Sequence, residues 1–561
     1  MLSANQRKFV EAKAPQSAES SSTVLDDWNE TSIILVEGLS KVIAQFMQII
    51  CVNDEFSEMW SASLDYFKGL LQRQVLNVSN AVFSGITRML AEFENIEKVG
   101  MTSFCKAWHL WQASNPGSHA SATTGKNGNQ DALVAYLDCL QQLLRLVGQN
   151  LALEQAEMVI KELHSTIINS DITAYSGDID RMTPVQKYVI DSIKTIPTNI
   201  PGVTGELIDI TARLIVLAFE NARQDQKTRP TYIALSKSAM ELLRSLVIDN
   251  VDPASREAPR MLSKALRALS IPLHLKYQWQ PQGKSPSTWE KATTTAVAIL
   301  RAFTLTLQAP SDPDSCYPNF FEEAVRLSDG IIAAEISSSS NLNIPDIRKD
   351  QEFDIDAFST VRSILTTTLG TRLLPDAVRR KYTKSIFGGS IVHEPHPDDL
   401  PGPGQEPLEG LRSKHIGRVQ DIAPSPRLKL GYLLLDELFD LVAVHDGSGE
   451  RIRLAQAAAP YLILRVGITL KAYVLDQPLR GRMPQPLSQK KEMLYILRKF
   501  AELDPEPKAI PPVPGVTAGN RNHLYRLYPL ILKAMSAAWR DEDMTRALKK
   551  ALELVGEDFG V

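Results

Sequence analysis

Apolar residues recur along this chain at helical spacing. Trp60, Leu64, Phe67 and Leu71 follow an i, i+4, i+7, i+11 template, and Val75, Val78, Val82, Ile86, Leu90 and Phe93 continue it in the next segment. Leu133, Leu137, Leu140, Leu144 and Val147 form another set, as do Val185, Val189, Ile193 and Ile196. Leu235, Ala239, Leu242 and Leu246 repeat it, and near the end so do Leu524, Leu527, Ile531 and Met535. Each set is one apolar stripe that a neighbouring element has to cover. Period-two alternation bounded by Asn-Gly or Asp-Gly turns, the mark of strands, is not found.

Helix starts are marked by their chemistry. Thr183-Pro184-Val185-Gln186 reads as a capping box with proline at the first helical position. Ser287-Thr288-Trp289-Glu290 gives a similar signal, and Asp541 stands ahead of a last helix as a cap. About eighteen helical segments joined by mostly short links are expected, and such neighbours tend to pair antiparallel. The expected fold is therefore all-α, an irregular helical solenoid of the HEAT or armadillo kind. No strict sequence period is visible, so a compact helical domain is the competing arrangement.

Four stretches read as loops: Asn115 to Gln130, Ser337 to Asp354, Gly388 to Pro426 and Asp504 to Gly519. The third is dense in proline, glycine and histidine and is the clearest boundary. The expected organisation is a disordered segment over 1–26, a helical-repeat body over 27–387, a flexible linker over 388–426 and a helical block over 427–561.

Composition narrows the reading. A hydrophobic fraction of 44% is ordinary for a globular chain, and a net charge of -4 on 561 residues does not suit a nucleic-acid binder. Cys51, Cys105, Cys139 and Cys316 are far apart and include no Cys-x-x-Cys, which fits a reducing compartment. No secretory signal is visible at the N-terminus. The apolar run Tyr461 to Leu475 falls short of a membrane span because Arg465 and Lys471 interrupt it.

The search for chemistry finds no phosphate-cradling GxxxxGK[ST] or GxGxxG, no GxSxG and no HExxH. No cofactor or metal is expected, and the chain reads as non-enzymatic. His393-Glu394-Pro395-His396-Pro397-Asp398-Asp399 has metal-ligand residue types, but its two prolines favour a solvated loop. Asp178 and Asp180 resemble a carboxylate pair, although a turn before the Thr183 cap explains them better. Arg379, Arg380, Lys381 and Lys384 read as a basic run at a helix end. Trp108 and Trp111 lie three apart on one helical face, as core residues or partner anchors.

Several of these stretches together resemble one family. Tyr175-Ser176-Gly177-Asp178-Ile179-Asp180-Arg181-Met182-Thr183-Pro184-Val185-Gln186 looks like a segment of the Mon-two family, large trafficking scaffolds related to the Sec-seven-type Arf exchange factors but without the exchange domain. Thr231 to Leu243, Trp28-Asn29-Glu30-Thr31 opening a helix, and His523 to Leu530 are similar to further family stretches in the same order. The likeness runs from about Trp28 to the end, is weakest over 388–426, and covers only the family's C-terminal portion. The family's N-terminal region, with its dimerisation segments, has no counterpart in this sequence.

The resemblance implies a peripheral membrane protein of the trans-Golgi network and endosomes, cytoplasmic in location, acting in endosome-to-Golgi and Golgi-to-vacuole protein transport. It implies as partners a Dopey-type scaffold, a phospholipid flippase and Arf-like GTPases, and it brings no catalytic residues. Partner contacts are expected around Tyr175, Asp178 and Asp180, in a loop before a capped helix, and around Arg521, Tyr525 and Arg526. Two rival readings are a nuclear-transport-type adaptor, for which the net charge is too small, and an enzyme with an unrecognised helical active site on Asp178 and Asp180.

Overall fold

The computed structural model describes residues 18–118, 129–170, 178–220, 231–277, 286–304, 317–333, 344–402, 404–417, 419, 421–511, 513 and 521–558. Within these residues the fold is all-α, and the only extended pairing is an isolated bridge between Ala443 and Pro505. The chain divides into two compact units. The first is Met1–Val251 with Pro281–Lys291, and the second is Asp252–Gln280 with Ala292–Val561.

The first unit holds α1 (Ala18–Gln45), α2 (Phe56–Leu71), α3 (Leu76–Ala91), α4 (Met101–Gln112), α5 (Gln130–Val147), α6 (Leu153–Ile168), α7 (Pro184–Thr195), α8 (Val203–Glu220) and α9 (Ile233–Asn250). Their packing is regular. Helices α1, α3, α5, α7 and α9 each lie against the next in one layer, while α2 packs on α4 and α6 on α8 in a second. The layers are joined within consecutive pairs, α2 with α3, α4 with α5, α6 with α7 and α8 with α9. This is the nearest-neighbour stacking of a helical-repeat array.

The sequence stripes form the seams. Trp60, Leu64, Phe67 and Leu71 are buried, as are Val78, Val82, Ile86, Leu90 and Phe93. Trp108 and Trp111 are core residues. The Trp111 indole N–H donates to the Tyr136 carbonyl at 3.1 Å, and its ring stacks on Tyr136 at 4.9 Å. The capping box at Thr183 is formed in both directions, Gln186 N–H to Thr183 Oγ1 at 3.3 Å and Thr183 N–H to Gln186 Oε1 at 3.0 Å.

The second unit contains α10 (Ala258–His274), α12 (Tyr317–Ile332), α13 (Ile344–Leu365), α14 (Asp376–Gly389), α15 (Leu428–Val442), α16 (Gly449–Asp476), α17 (Leu487–Glu502), α18 (Asn522–Ala537) and α19 (Glu542–Asp558); the division between units falls inside α11 (Thr288–Phe303). The same alternation recurs. Helices α10, α12, α14, α16 and α18 follow one another in one layer, and α13 packs on α15 and α17 on α19 in the other. Asp541 caps α19, accepting from the Met544 N–H at 3.1 Å.

Several expectations are corrected. The segment over 1–26 is not wholly irregular, because α1 begins at Ala18 and carries Trp28 in its interior. Ser337 to Asp354 is not all loop. Helix α13 starts at Ile344, and Asp354 is buried between Lys276 at 2.7 Å and Arg427 at 2.6 Å. The basic run at Arg379 sits in the first half of α14, not at its end. Arg379 is buried, pairs with Asp376 and donates to the carbonyls of Leu369 at 3.1 Å and Thr371 at 3.0 Å. Residues 388–426, read as a linker, are docked within the second unit by buried ion pairs. Cys316 lies outside the described residues.

Candidate functional site

The predicted contact residues fall into two groups that the structure treats differently. Tyr175 lies outside the described residues. Asp178 is not an exposed contact point: it is 3% exposed and works as a structural tie. Its Oδ1 accepts from the Thr231 backbone N–H at 3.1 Å and hydroxyl at 2.6 Å, and its Oδ2 accepts from the Tyr232 N–H at 2.8 Å. The Asp178 carbonyl accepts from the Ala234 N–H at 3.1 Å. Tyr232 holds a left-handed backbone, φ 53°, with no cap from its own side chain, so Asp178 supplies from a distant loop the acceptors that the start of α9 lacks. Burial, and then the Asp178 charge, push the Tyr232 phenol up to about 12. Asp180 is exposed on an open cleft of about 350 Å³, beside Lys237.

Arg521, Tyr525 and Arg526 share the first turns of α18 and are engaged inside their own unit. Arg521 donates to the Leu554 carbonyl and pairs with Glu557 at 3.0 Å, tying α18 to the end of α19. Tyr525 is buried, and Arg526 donates to the Pro511 carbonyl at 3.1 Å. Beside them His523 is buried, with Nε2 3.0 Å from the Phe500 carbonyl; burial lowers its pKa to about 4.

Sequence reasoning missed the most elaborate site, which lies on α16. The two cations that interrupt the apolar run of this helix are both buried and both paired. Arg465 contacts Glu492 and donates to the Ser390 carbonyl at 3.0 Å, and His393 Nδ1 meets the other Glu492 oxygen at 2.5 Å. Lys471 donates to Asp399 Oδ1 at 2.5 Å and to the Ser413 carbonyl at 2.8 Å. Asp399 also takes His415 Nε2 at 3.0 Å and the Ser413 hydroxyl at 2.7 Å. Burial alone would raise the Asp399 carboxyl, but the hydrogen bonds from Lys471, Ser413 and His415 outweigh it and hold it below the ordinary value. Glu492 behaves alike: burial opposes ionisation, and Arg465 and His393 more than offset it.

The loop of metal-ligand residue types is therefore not a solvated loop. Its His396 ring stacks on His415 at 4.0 Å and 9°, and the backbone is pressed against α16. A side chain at Gly417 would collide with the Leu475 carbonyl, so glycine is required for that approach. Among the described residues no group of histidine, cysteine or carboxylate side chains is arranged to hold a metal ion.

Together these segments line a small cleft with room of about 90 Å³. One wall is the 393–399 loop with His415, Ile416 and Gly417, another is the α16 face from Arg465 to Asp476, and the third is Gln485 with the first turns of α17. The sequence signal that could have found it is the pair of cations in an apolar helix, since a buried charge requires a partner somewhere in the chain.

The fold defines a class: an all-α protein whose helices stack as alternating pairs in two layers. Among curated proteins the chain is similar to Protein MON2 of Saccharomyces cerevisiae (strain ATCC 204508 / S288c), at 23% identity over 564 residues, covering 94% of this chain and 33% of that protein. The chain thus resembles the Mon-two family along nearly its whole length and spans about a third of the curated relative it matches. No family model matches it. Among solved structures, it is similar to a circular tandem repeat protein with novel repeat topology (11% identity, 94% of this chain and 96% of that chain, TM-score 0.26). It is also similar to importin beta in a polyethylene glycol condition (10% identity, 100% and 85%, TM-score 0.15). Neither superposition is close enough to carry an argument.

Proposed function

We propose that this chain is a non-enzymatic scaffold in vesicular protein transport between endosomes, the Golgi and the vacuole. The observation that carries the reading is the similarity to Protein MON2 over 94% of the chain. The stacked helix pairs are consistent with it, since such arrays offer extended faces along which partner segments lie. On this reading the chain associates peripherally with trans-Golgi and endosomal membranes and binds a Dopey-type scaffold, a phospholipid flippase and Arf-like GTPases. On this reading Asp180, exposed beside Lys237, is a partner contact, and Asp178 holds the nearby start of α9 in place.

A chimera tests this. The matched third of the yeast protein is replaced by this chain in cells lacking that protein. Restored sorting to the vacuole, with Golgi and endosomal puncta, is expected. A chimera no better than the truncated yeast protein overturns the reading, and nuclear-envelope staining would favour the transport-adaptor alternative.

A further inference from the structure

Helices α17 and α19 pack on each other in the second unit and are tied at two places. Lys490 pairs with Asp541 at 2.8 Å and Asp543 at 3.3 Å, and Lys550 with Glu502 at 3.2 Å. From Lys490 to Glu502 the distance along α17 is about 18 Å at 1.5 Å per residue. Between the ties lies an open groove of about 900 Å³. Lys491, Leu494, Arg498 and Ala501 fall at i, i+3, i+7 and i+10 on α17, and Asp543, Arg546, Ala547 and Lys550 at i, i+3, i+4 and i+7 on α19. Each helix thus turns one face to the groove, with charged residues at the rim and half-buried Leu494, Ala501 and Ala547 between them.

The charges at this groove do not balance. Of the lysines and arginines on the two helices, Lys490, Lys499, Lys549 and Lys550 each hold an acid, Lys499 with Asp436 at 3.1 Å and Lys549 with Glu553 at 3.4 Å. The others, Lys491, Arg498 and Arg546, pair with no acid among the described residues, and all three stand exposed around the groove. The acids of the lining, Glu502 and Asp543, are the ones already held by Lys550 and Lys490. The groove is left with excess positive charge over an apolar floor, which attracts an anionic partner that also brings apolar groups. A nucleic acid would bring phosphates and bases, but the Tyr495 ring is no free stacking platform: it packs on Tyr432 at 5.1 Å and is flanked by Arg498 and Lys499, each at 5.7 Å. An anionic bilayer would press on Glu502 and Asp543, which stand exposed on the same rim. A peptide helix places its carboxylates singly beside an apolar stripe and avoids both conflicts.

We propose that the groove between α17 and α19 docks an acidic amphipathic helix of a partner protein, its apolar stripe on Leu494, Ala501 and Ala547 and its carboxylates on Lys491, Arg498 and Arg546. Lys491 and Arg498 are two turns apart, about 10 Å, so a helix lying along α17 meets them with acids at the same spacing. The ties at Lys490 and Glu502 limit the contact to about three turns. The site stands on the charge and shape of these two helices, and the chimera above can succeed or fail independently of it.

Three end-blocked fluorescent peptides of about 16 residues, long enough to hold a helix, test it. All carry leucine at i, i+4, i+7 and i+11, flanked by glutamate in the first, glutamine in the second and lysine in the third. Each is titrated into the full chain and followed by anisotropy. The glutamate peptide is expected to bind saturably, at least about fivefold more tightly than the glutamine peptide, and to weaken as salt is raised. Arg498→Glu and Arg546→Glu should each weaken it by at least about fivefold. Lys549→Glu changes the net charge equally but lies off the groove, and it should alter binding by less than about twofold. Ala547→Leu, which fills the floor without touching a charge, should also weaken the glutamate peptide. With Lys491, Arg498 and Arg546 all changed to glutamate, the preference should pass to the lysine peptide. Circular dichroism checks that each variant is folded. No saturable binding of the glutamate peptide, equal affinity for the glutamine peptide, or a loss in Lys549→Glu as large as in Arg546→Glu would overturn the proposal. So would phosphatidylserine vesicles or a uridine oligonucleotide binding more tightly than the glutamate peptide and losing that binding in Arg498→Glu, since the groove would then be a lipid or nucleic-acid site.

Discussion

Single residues carry more of this fold than their sequence neighbourhood suggests. Asp178 and Asp180 look equivalent in sequence, two residues apart in one turn, but only the first is buried. Asp178→Ala removes three accepted hydrogen bonds at the start of α9 and should cost about 2–3 kcal/mol. Asp180→Ala should change stability by no more than about 0.5 kcal/mol, as exposed positions do. Urea denaturation followed by helical circular dichroism checks both, and equal costs would remove the assigned roles. Glu437 makes the opposite point. It is 1% exposed on α15, and burial, only partly offset by Arg362, raises its carboxyl to about 7. Folding therefore favours the protonated form. The stabilisation from this group is complete below the ordinary value of 4.5 and is lost as pH rises to about 7. Glu437→Gln should abolish that component, so that the variant gains on the parent by on the order of 2 kcal/mol between pH 4.5 and 8. Arg362 keeps Asp440 at 2.9 Å, so the substitution leaves no unpaired cation. A parent-to-variant difference that stays flat with pH would show that Glu437 is ionised throughout.

At the scale of elements, legibility follows the range of the interaction. A helix is specified by residues three and four apart, so the stripes at Trp60, Leu133 and Val185 and the caps at Thr183, Ser287 and Asp541 are readable locally. The 388–426 segment is specified by partners far away, Asp399 with Lys471 and His393 with Glu492, and its proline-rich composition describes only its backbone. The same holds for Ser337 to Asp354, where four serines hid the start of α13 and the pairing of Asp354 with Arg427. The docking predicts a definite coupling. Lys471→Met leaves the Asp399 carboxylate buried without its main cation and should cost about 3–5 kcal/mol. Asp399→Asn strands the lysine to a similar degree. The double variant should be less damaging than the sum by about 1–3 kcal/mol, a coupling that a double-mutant cycle by chemical denaturation measures directly. Strict additivity would mean that the segment is held by its backbone contacts alone. The sign with pH is also fixed: the Asp399 carboxyl is depressed by its partners, so its contribution is present above the ordinary carboxylate range and is lost as pH falls through the folded value.

At the scale of the whole molecule, the candidate sites divide as the fold does. Asp178 and Asp180 belong to the first unit, and the α16 cleft and the Arg521 cluster belong to the second. The helical class was legible because every amphipathic stripe demands a cover, but the two-layer alternation was not, because no strict period marks which helix covers which. The run around Tyr461 to Leu475, read as too interrupted to span a membrane, belongs to a helical stretch, Gly449–Arg480, that is long and apolar enough to cross one by length and composition, and 67% of its most apolar window is buried within the protein. In each unit a helix packs mainly on its pair mate and on the helices two positions away, so a perturbation should spread over near neighbours before it reaches the rest. Asp178→Ala should therefore speed amide hydrogen exchange in α7, α8 and α9 and leave α16 and α17 at parental rates. Asp399→Asn should do the reverse, raising exchange in α14, α16 and α17 alone. The two substitutions share no partner, and their costs in the double variant should add to within about 0.5 kcal/mol. Exchange that rises evenly in every helix for either variant would mean one cooperative core, and stability would then not be a property of adjacent helix pairs.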